Sequence, residues 1–239
     1  MSNNQLSTVF EDDYLIAINK PSGWLSIPGR NAENIPCVLT KLQASYTDLM
    51  PVHRIDKETT GTLILAKSPE VHKSMNQLFA DRSILKEYHA LAHGDLAEFV
   101  DIDNYLSPAG NGKMKVSRKG KRAQSEFTPE ERFGSWTWCR VKINTGRTHQ
   151  IRVHAAHLGH PLVGDVLYGG RPLAINDIKP SARSNEMQRP LINRTALHAL
   201  SLSFTHPVTS EKIRIESALP KDLKAGLNQL RKWKRPIAN

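Results

Sequence analysis

Asp56 is the strongest candidate for a catalytic side chain in this sequence, because it is a carboxylate with cationic residues on both sides. It belongs to the segment His53-Arg54-Ile55-Asp56-Lys57-Glu58-Thr59-Thr60-Gly61, in which a turn-forming Thr-Thr-Gly follows the charged residues. One well-placed carboxylate can act as a nucleophile or as a base. A surface aspartate that pairs with Arg54 or Lys57 would give the same pattern, because structural ion pairs also cluster charge. These residues alone leave both interpretations open.

The element that must position Asp56 is the apolar run that follows it. Residues 62–66 read Thr-Leu-Ile-Leu-Ala, and a short apolar run after a glycine is typical of a buried strand. Asp56 is therefore predicted to lie on a loop that leads directly into the core. A rigid scaffold can aim a side chain in such a position.

Hydrophobic periodicity predicts an α+β fold for the rest of the chain. One helix is predicted over residues 68–82 with Ser68 as its cap, and another from Thr148 to Leu158, with Thr148 as its cap and Gly159 after its end. Predicted strands cover residues 15–18, 88–92, 126–133, 136–144, 199–204 and 212–216. Residues 169–194 are polar and predict an extended surface loop. Because strands outnumber helices, we expect a largely antiparallel sheet.

The charge balance favours a polyanionic partner. The 239 residues carry 33 Lys+Arg against 23 Asp+Glu, a formal net charge of +10. No apolar run approaches the ~20 residues of a membrane helix, so nucleic acid is the better interpretation and no membrane partner is expected. The start Met1–Gln5 lacks the features of a secretory signal, and two cysteines do not make a disulfide framework. We therefore expect a cytoplasmic protein.

A dense group of cations marks the best candidate for phosphate binding. Six cations fall within ten residues without an acidic residue among them: Lys113, Lys115, Arg118, Lys119, Lys121 and Arg122. Glycines at 112 and 120 predict a mobile loop between strands, which would suit a clamp on RNA phosphates. An ordinary solvated surface is the alternative. A second basic group surrounds Trp233, where we expect an amphipathic helix that packs its tryptophan.

The Asp56 segment closely resembles the catalytic motif of the RluA family of RNA pseudouridine synthases, usually written His-Arg-Leu-Asp-x-x-Thr-Ser-Gly. Further segments resemble motifs of that family and follow in the same order, so that the resemblance runs from about residue 9 to about residue 218. They are Asn19-Lys20-Pro21-Ser22-Gly23, Lys86-Glu87-Tyr88, Gly146-Arg147-Thr148-His149-Gln150-Ile151-Arg152-Val153-His154, Gly159-His160-Pro161-Leu162-Val163-Gly164-Asp165 and Leu197-His198-Ala199. Residues 19–30 look most like the RluA branch, which modifies a stem-loop of large-subunit ribosomal RNA and the anticodon stem-loop of a tRNA.

The resemblance implies one mixed, mainly antiparallel sheet with flanking helices and a central catalytic cleft. It implies an RNA pseudouridine synthase that needs no cofactor and no metal, because the isomerisation involves no redox step. We expect a single catalytic domain over residues 1–239, with a core at about 9–218 and a basic tail at about 219–239. The sequence has no obvious room for the S4-like RNA-binding domain of some relatives. We expect a monomer that acts on structured RNA.

The resemblance also implies roles for individual residues. Asp56 is the catalytic carboxylate, Tyr88 stacks on the target base, and Arg152 pairs with Asp56 and keeps it ionised and oriented. Arg54 could fill the gap left by an extruded base. The remaining expected contacts to RNA come from His53, Ile151, Arg147, Lys20, Lys115, Lys119, Lys121 and Arg122.

Two other classes of function are alternatives to this one. His149, His154, His157 and His160 could indicate a zinc hydrolase, although the sequence has no His-Glu-x-x-His and no cysteine or acidic residue at a typical ligand spacing. A non-catalytic RNA-binding protein of the same fold is the second alternative. Retention of Asp56, Tyr88 and Arg152 together argues against it.

Overall fold

The computed structural model describes residues 6–29, 34–179 and 190–237. The start Met1–Gln5, Arg30 and the middle of the predicted 169–194 loop therefore lie outside the described residues. The chain divides into two compact units. Unit 1 comprises Met1–Glu87 with His198–Ala218, and unit 2 comprises Tyr88–Leu197 with Leu219–Asn239.

Strands make up most of the regular structure. They are β1 (Ser7–Glu11), β2 (Leu15–Lys20), β3 (Met50–Pro51), β4 (Thr60–Ala66), β5 (Leu85–His93), β6 (Val100–Gly110), β7 (Lys113–Ser117), β8 (Lys121–Arg132), β9 (Trp136–Ile143), β10 (Leu197–Thr205) and β11 (Lys212–Glu216). The helices are α1 (Val38–Leu42), α2 (Pro69–Ala80), α3 (Gln150–His157), α4 (Ile175–Ile178) and α5 (Lys221–Lys234). A 3₁₀ turn covers Val166–Tyr168. In the described part of the chain, no helix has the length and apolar character needed to cross a membrane.

Unit 1 is organised around β4, every residue of which is buried. β4 pairs antiparallel with β2 and parallel with β10, so the sheet is mixed. Alternate side chains of β4 enter two different clusters. Leu63 and Leu65 pack with Trp24 and α1, whereas Ile64 and Ala66 pack with α2. This strand is the buried element that the sequence predicts immediately after the Asp56 loop.

Unit 2 contains an antiparallel sheet with helices packed against it. β9 pairs with β8, β8 with β6, and β6 with β7. Ile151 and Ala155 of α3 share one apolar cluster with Phe127 and Val141 of the sheet. A second cluster joins the tryptophans of β9 to three leucines of α5. The predicted α+β class with a mixed sheet is confirmed.

Several local predictions agree with the structure. The predicted helix over 68–82 corresponds to α2, and Ser68 Oγ accepts the N–H of Val71 at 3.3 Å. Strands β8 and β9 correspond to the strands predicted over residues 126–133 and 136–144, and they pair antiparallel on either side of Gly134 and Ser135. Gly159 follows α3 with a φ of +83°, the left-handed conformation that the predicted end requires.

Four local predictions were wrong. Thr148 does not cap α3, because His149 occupies the N-cap. The six-cation segment is not a loop but runs along β7, a turn and the start of β8. The described ends of the 169–194 segment are partly buried: Leu173 and Ile192 belong to the core of unit 2 and pair with each other. Trp233 of α5 is 42% exposed instead of packed.

Candidate active site

The loop that carries Asp56 is held on both sides of that residue by the segment Lys20–Ser26. Ser26 Oγ accepts the N–H of Ile55 at 3.2 Å and donates to the Ile55 carbonyl at 3.0 Å. On the other side, the Lys57 carbonyl accepts the N–H of Gly23 at 2.9 Å. Asp56 therefore lies between two backbone units that are anchored to the same turn, which restricts the directions its carboxylate can take.

Lys20 is a buried cation in this anchor. Its side chain is fully buried, and Nζ donates to the carbonyls of Pro21, Trp24 and Lys57 at 3.0, 2.7 and 3.0 Å. A buried ammonium needs such partners, because an unsatisfied charge away from water is costly. The predicted RNA contact by Lys20 stays a prediction, and these contacts favour a role in positioning the Asp56 loop.

The end of the Asp56 loop is fixed by β10. His198 pairs with Thr60 and Ala199 with Gly61 in the parallel ladder. His198 Nε2 donates to the Ser217 carbonyl at 3.0 Å, which leaves Nδ1 to accept the Thr60 hydroxyl at 2.9 Å. A Cβ on Gly61 would lie 2.1 Å from the Ala199 carbonyl oxygen, and φ at Gly61 is +110°. Glycine is therefore required where β4 begins.

The two residues before Ile55 have different environments. His53 Nε2 accepts the N–H of Ile64 at 3.0 Å, and its ring stacks on Phe79 with centroids 5.2 Å apart. Desolvation, together with the nearby positive charge of Lys86, lowers the pKa of His53 to about 3. Arg54, in contrast, is exposed. The expected RNA contacts of both residues stay predictions, and exposure suits Arg54 better to that role.

Tyr88 and Ile151, both expected at the substrate, belong to the same apolar cluster of unit 2. Tyr88 is half-buried on β5, on the face that also carries Ala90 and Ala92. Ile151 is 4% exposed, so core packing accounts for most of its surface. Glu87, next to Tyr88, belongs to unit 1 and accepts hydrogen bonds from Ser201 and Arg214. These bonds fix the side chain of Glu87, the residue immediately before Tyr88.

Arg152 forms a buried, bidentate ion pair with Asp165. Its Nε and Nη2 donate to the two carboxylate oxygens, each at 2.7 Å. Arg152 is 8% exposed and Asp165 is 1% exposed. Asp56 lies in unit 1 and Arg152 in unit 2. The expected pairing of these two residues stays a prediction. Asp165 is a partner that the residue spacing does not reveal.

Gln150, the first residue of α3, makes the side-chain hydrogen bonds at the start of this helix, where the sequence predicted a cap by Thr148. Its Oε1 accepts the Thr145 hydroxyl at 2.7 Å and the N–H of Arg147 at 3.0 Å, while Nε2 donates to Ser125 Oγ at 2.9 Å. Ser125 then bonds Nδ1 of His154, also at 2.9 Å. Desolvation, reinforced by the charge of His157, lowers the pKa of His154 to about 4.

The basic ribbon, residues 113–122, presents its cations to solvent. Lys115, Lys119 and Lys121 are exposed, whereas Met114 and Val116 of β7 pack towards Val153 of α3. Arg122 is also exposed but forms a bidentate pair with Asp103. Arg147 Nε donates to the Arg122 carbonyl at 3.0 Å, so Arg147 ties this ribbon to the loop before α3. The predicted RNA contacts of these residues stay predictions.

The histidines that suggested zinc are not gathered as ligands. Within residues 6–29, 34–179 and 190–237, no three His, Cys, Asp or Glu side chains come together in a way that could hold a metal ion. His154 is bonded to Ser125 and Asn104, and His149 to Tyr168. The zinc-hydrolase alternative is therefore not favoured.

Comparison with known proteins points to one family. The model of a family described as RNA pseudouridylate synthase matches residues 14–157. Ribosomal large subunit pseudouridine synthase D of Pasteurella multocida is 37% identical over 231 residues, which cover 92% of this chain and 69% of that protein. The protein of the same name from Vibrio parahaemolyticus is 35% identical, with 95% and 71% covered. Human RNA Pseudouridylate Synthase Domain Containing 4 shares the fold, with a TM-score of 0.73, 23% identity, and 94% and 93% covered.

Proposed function

This chain belongs to the RNA pseudouridylate synthase family and is an isomerase that converts uridine to pseudouridine in RNA, and from this premise we propose that it acts on a stem-loop of large-subunit ribosomal RNA through Asp56, Tyr88 and Arg152. The names of its relatives support the ribosomal substrate. The tRNA stem-loop that residues 19–30 suggest stays a prediction. We also propose that the protein acts as a monomer in the cytoplasm.

The observation that carries the assignment of Asp56 is the double anchor of its loop. The backbone on each side of Asp56 is bonded to the Lys20–Ser26 segment, and the loop ends in the parallel pairing of β4 with β10. Positioning supplies much of the catalytic power of an enzyme, because it replaces a search for geometry with a held geometry. A merely solvated aspartate would not need this support.

The reaction that we assign to these residues is a balanced isomerisation. The N1–C1′ bond of the target uridine breaks, the uracil turns, C5 bonds to C1′, and the C5 proton is lost as N1 regains one. Asp56 either attacks C1′ or removes a proton from C2′. Tyr88 offers a ring on which the base can stack, and the exposed Arg54 can occupy the place of the base in the RNA stack.

The direct test is Asp56→Asn, which removes the charge and keeps the size of the side chain. Pseudouridine formation should be abolished on large-subunit ribosomal RNA transcribed in vitro, while RNA binding should be retained because cations elsewhere hold the phosphates. The matched control is Asp13→Asn at an exposed position, which should keep both properties. An Asp56→Asn enzyme with activity near that of the wild type would remove Asp56 from the mechanism.

An isotope experiment separates the two possible actions of Asp56. RNA with deuterium at C2′ of the target uridine should react several-fold more slowly if proton removal from C2′ limits the rate of a single turnover. Equal rates for the two RNAs would favour attack at C1′.

Size-exclusion chromatography with light scattering tests the proposed oligomeric state separately. The measured mass should be that of one chain.

A further inference from the structure

We propose that Tyr168 is a positioning residue with two separable functions: its ring supports the guanidinium of Arg152, and its hydroxyl anchors the basic ribbon to the start of α3. This inference rests on the proposed function, because it names what holds the active-site arginine and the RNA-binding ribbon in place. None of the sequence motifs discussed above contains Tyr168, which follows the last of the Gly159–Asp165 residues by three positions.

The ring of Tyr168 lies against Arg152. The guanidinium carbon of Arg152 is 5.1 Å from the ring centroid, within the distance at which a cation is attracted to an aromatic face. Asp165 holds the same guanidinium through two hydrogen bonds of 2.7 Å. The carboxylate holds the guanidinium through hydrogen bonds, and the ring packs against it. Together the two side chains leave Arg152 little freedom, although Arg152 belongs to a helix of only eight residues.

The hydroxyl of Tyr168 joins two elements that are distant in sequence. It accepts the N–H of Met114 in β7 at 2.9 Å and bonds Nδ1 of His149 at 2.8 Å. Because the Met114 amide can only donate, the hydroxyl proton is available to Nδ1 of His149. β7 is the edge strand of the ribbon that carries Lys113 and Lys115. Tyr168 therefore holds this strand beside α3.

The backbone at His149 shows why such an anchor is useful. His149 is the N-cap of α3 and has a φ of +55°, a left-handed conformation that is uncommon for residues with a side chain. Its side chain makes no capping hydrogen bond to the helix. The imidazole instead packs against the Tyr168 ring in a T-shaped contact with an interplanar angle of 84°, in addition to its bond to the hydroxyl. Tyr168 thus contacts the N-cap residue of α3 through its ring as well as its hydroxyl, and the ring contact remains when the hydroxyl is removed.

Two substitutions separate the ring from the hydroxyl. Tyr168→Leu removes both, and we expect the single-turnover rate at saturating RNA to fall by roughly 10–100-fold, the range typical of a small misplacement of a reacting group. Tyr168→Phe keeps the ring, so the rate should stay within about twofold, while RNA affinity should weaken by about 2–10-fold because the hydroxyl hydrogen bonds are absent. A fall in rate in Tyr168→Phe as large as in Tyr168→Leu would overturn this division.

The matched control is Tyr46→Phe in unit 1. Tyr46 also donates a hydroxyl hydrogen bond, to Glu11 at 2.8 Å, and also has a cation over its ring, Lys67 at 5.4 Å. Its substitution should change neither the rate nor the affinity.

A double-mutant cycle tests whether Tyr168 acts through Arg152. In an Arg152→Lys background, the further fall in rate caused by Tyr168→Leu should shrink to less than about threefold. Full additivity would show that Tyr168 does not act through Arg152.

A measurement that does not depend on catalysis tests this inference separately from the proposed function. The Arg152 Nε–H is bonded to Asp165, so its exchange with solvent, followed by nitrogen-15 NMR, should be slow in the free protein and faster in Tyr168→Leu. Unchanged exchange would overturn the positioning role, whether or not the protein is active. A wild-type protein that forms no pseudouridine in ribosomal RNA would instead contradict the proposed substrate.

Discussion

At the scale of single residues, two of the proposed catalytic residues are held in different ways: Asp56 lies on a loop anchored by hydrogen bonds, and Arg152 lies in a buried ion pair. The pair makes Arg152 important for folding as well as for the proposed chemistry. Arg152→Met leaves the Asp165 carboxylate, 1% exposed, without its bidentate partner. Removing one member of a buried pair costs about 3–5 kcal/mol, so we expect a decrease of that size in the free energy of unfolding, measured with urea, together with loss of activity.

A double substitution distinguishes the two effects of Arg152. Arg152→Met with Asp165→Leu removes both charges, and we expect it to recover most of the stability but none of the activity. Arg152→Lys should recover activity only in part, because an ammonium cannot reproduce two parallel hydrogen bonds. If the double variant stayed as unstable as Arg152→Met, the Asp165 charge would not be the cause of the instability.

Lys20 allows a second prediction at this scale. Lys20→Met removes the donor shared by the Pro21, Trp24 and Lys57 carbonyls. The buried Trp24 carbonyl loses this donor, and a buried acceptor left without a donor costs about 1–3 kcal/mol. The Lys57 carbonyl, adjacent to Asp56, loses its bond to Lys20 and keeps the one from the Gly23 N–H. We therefore expect lower stability by urea unfolding and a slower single turnover at saturating RNA. The exposed Lys41 provides the control: Lys41→Met should behave like the wild type, and a Lys20→Met enzyme with a full rate would exclude Lys20 from positioning.

At the scale of elements, the basic ribbon is a surface with exposed cations and a packed underside. We predict that Lys115→Gln, Lys119→Gln and Lys121→Gln together weaken RNA binding and lower the slope of log affinity against log salt by roughly 0.7–0.9 for each RNA phosphate that the variant no longer neutralises. Arg122 is kept in this variant because it is paired with Asp103. The melting temperature should barely change, since Met114 and Val116 retain their packing.

A variant of equal charge provides the control for the ribbon. Lys73, Lys212 and Lys224 are exposed in other elements, and their replacement by glutamine should leave most of the affinity and the salt slope intact. An equal decrease in both triple variants would mean that net charge, not the ribbon, attracts RNA. An unchanged slope in the ribbon variant would mean that its lysines are ordinary solvated residues.

The elements themselves were largely predictable from local patterns. The apolar run after Gly61 predicted β4, hydrophobic periodicity predicted β5, β8 and β9, and Ser68 marked the start of α2. The ribbon was mistaken for a loop because its glycines were interpreted as flexible. Gly120 is instead a site of close approach, where a Cβ would lie 2.3 Å from the Leu106 carbonyl oxygen. Propensity alone cannot separate these two uses of glycine.

At the scale of the whole molecule, the contacts that organise the site join residues far apart in the sequence. Lys20 reaches a carbonyl 37 residues away, and Thr60 is bonded to a histidine 138 residues away. Motif order could indicate that Asp56, Tyr88 and Arg152 act together, but not that Asp165 and Tyr168 hold Arg152. Such supports depend on tertiary packing, which no local pattern records.

Two histidines, His53 and His154, give the molecule a predicted acid sensitivity. The pKa values of His53 and His154 are lowered to about 3 and about 4 in the folded protein, mainly by desolvation, whereas an unfolded histidine titrates near pH 6.5. Between these values the unfolded chain binds more protons than the folded one. Stability is therefore fully present above about pH 6.5 and is lost as the pH falls towards about 4.

Urea unfolding at pH 7.5, 6, 5 and 4.5 measures this dependence. Each histidine can contribute up to about 1.4 kcal/mol per pH unit within the window. His154→Gln and His53→Gln should each reduce the slope of unfolding free energy against pH, even where they lower stability at pH 7.5. His72, whose hydrogen bond to Asn76 on α2 is exposed, provides the control, because His72→Gln should keep the wild-type slope. A wild-type slope in His53→Gln and in His154→Gln would assign the acid sensitivity to other groups, such as the carboxylates paired with arginine in unit 2.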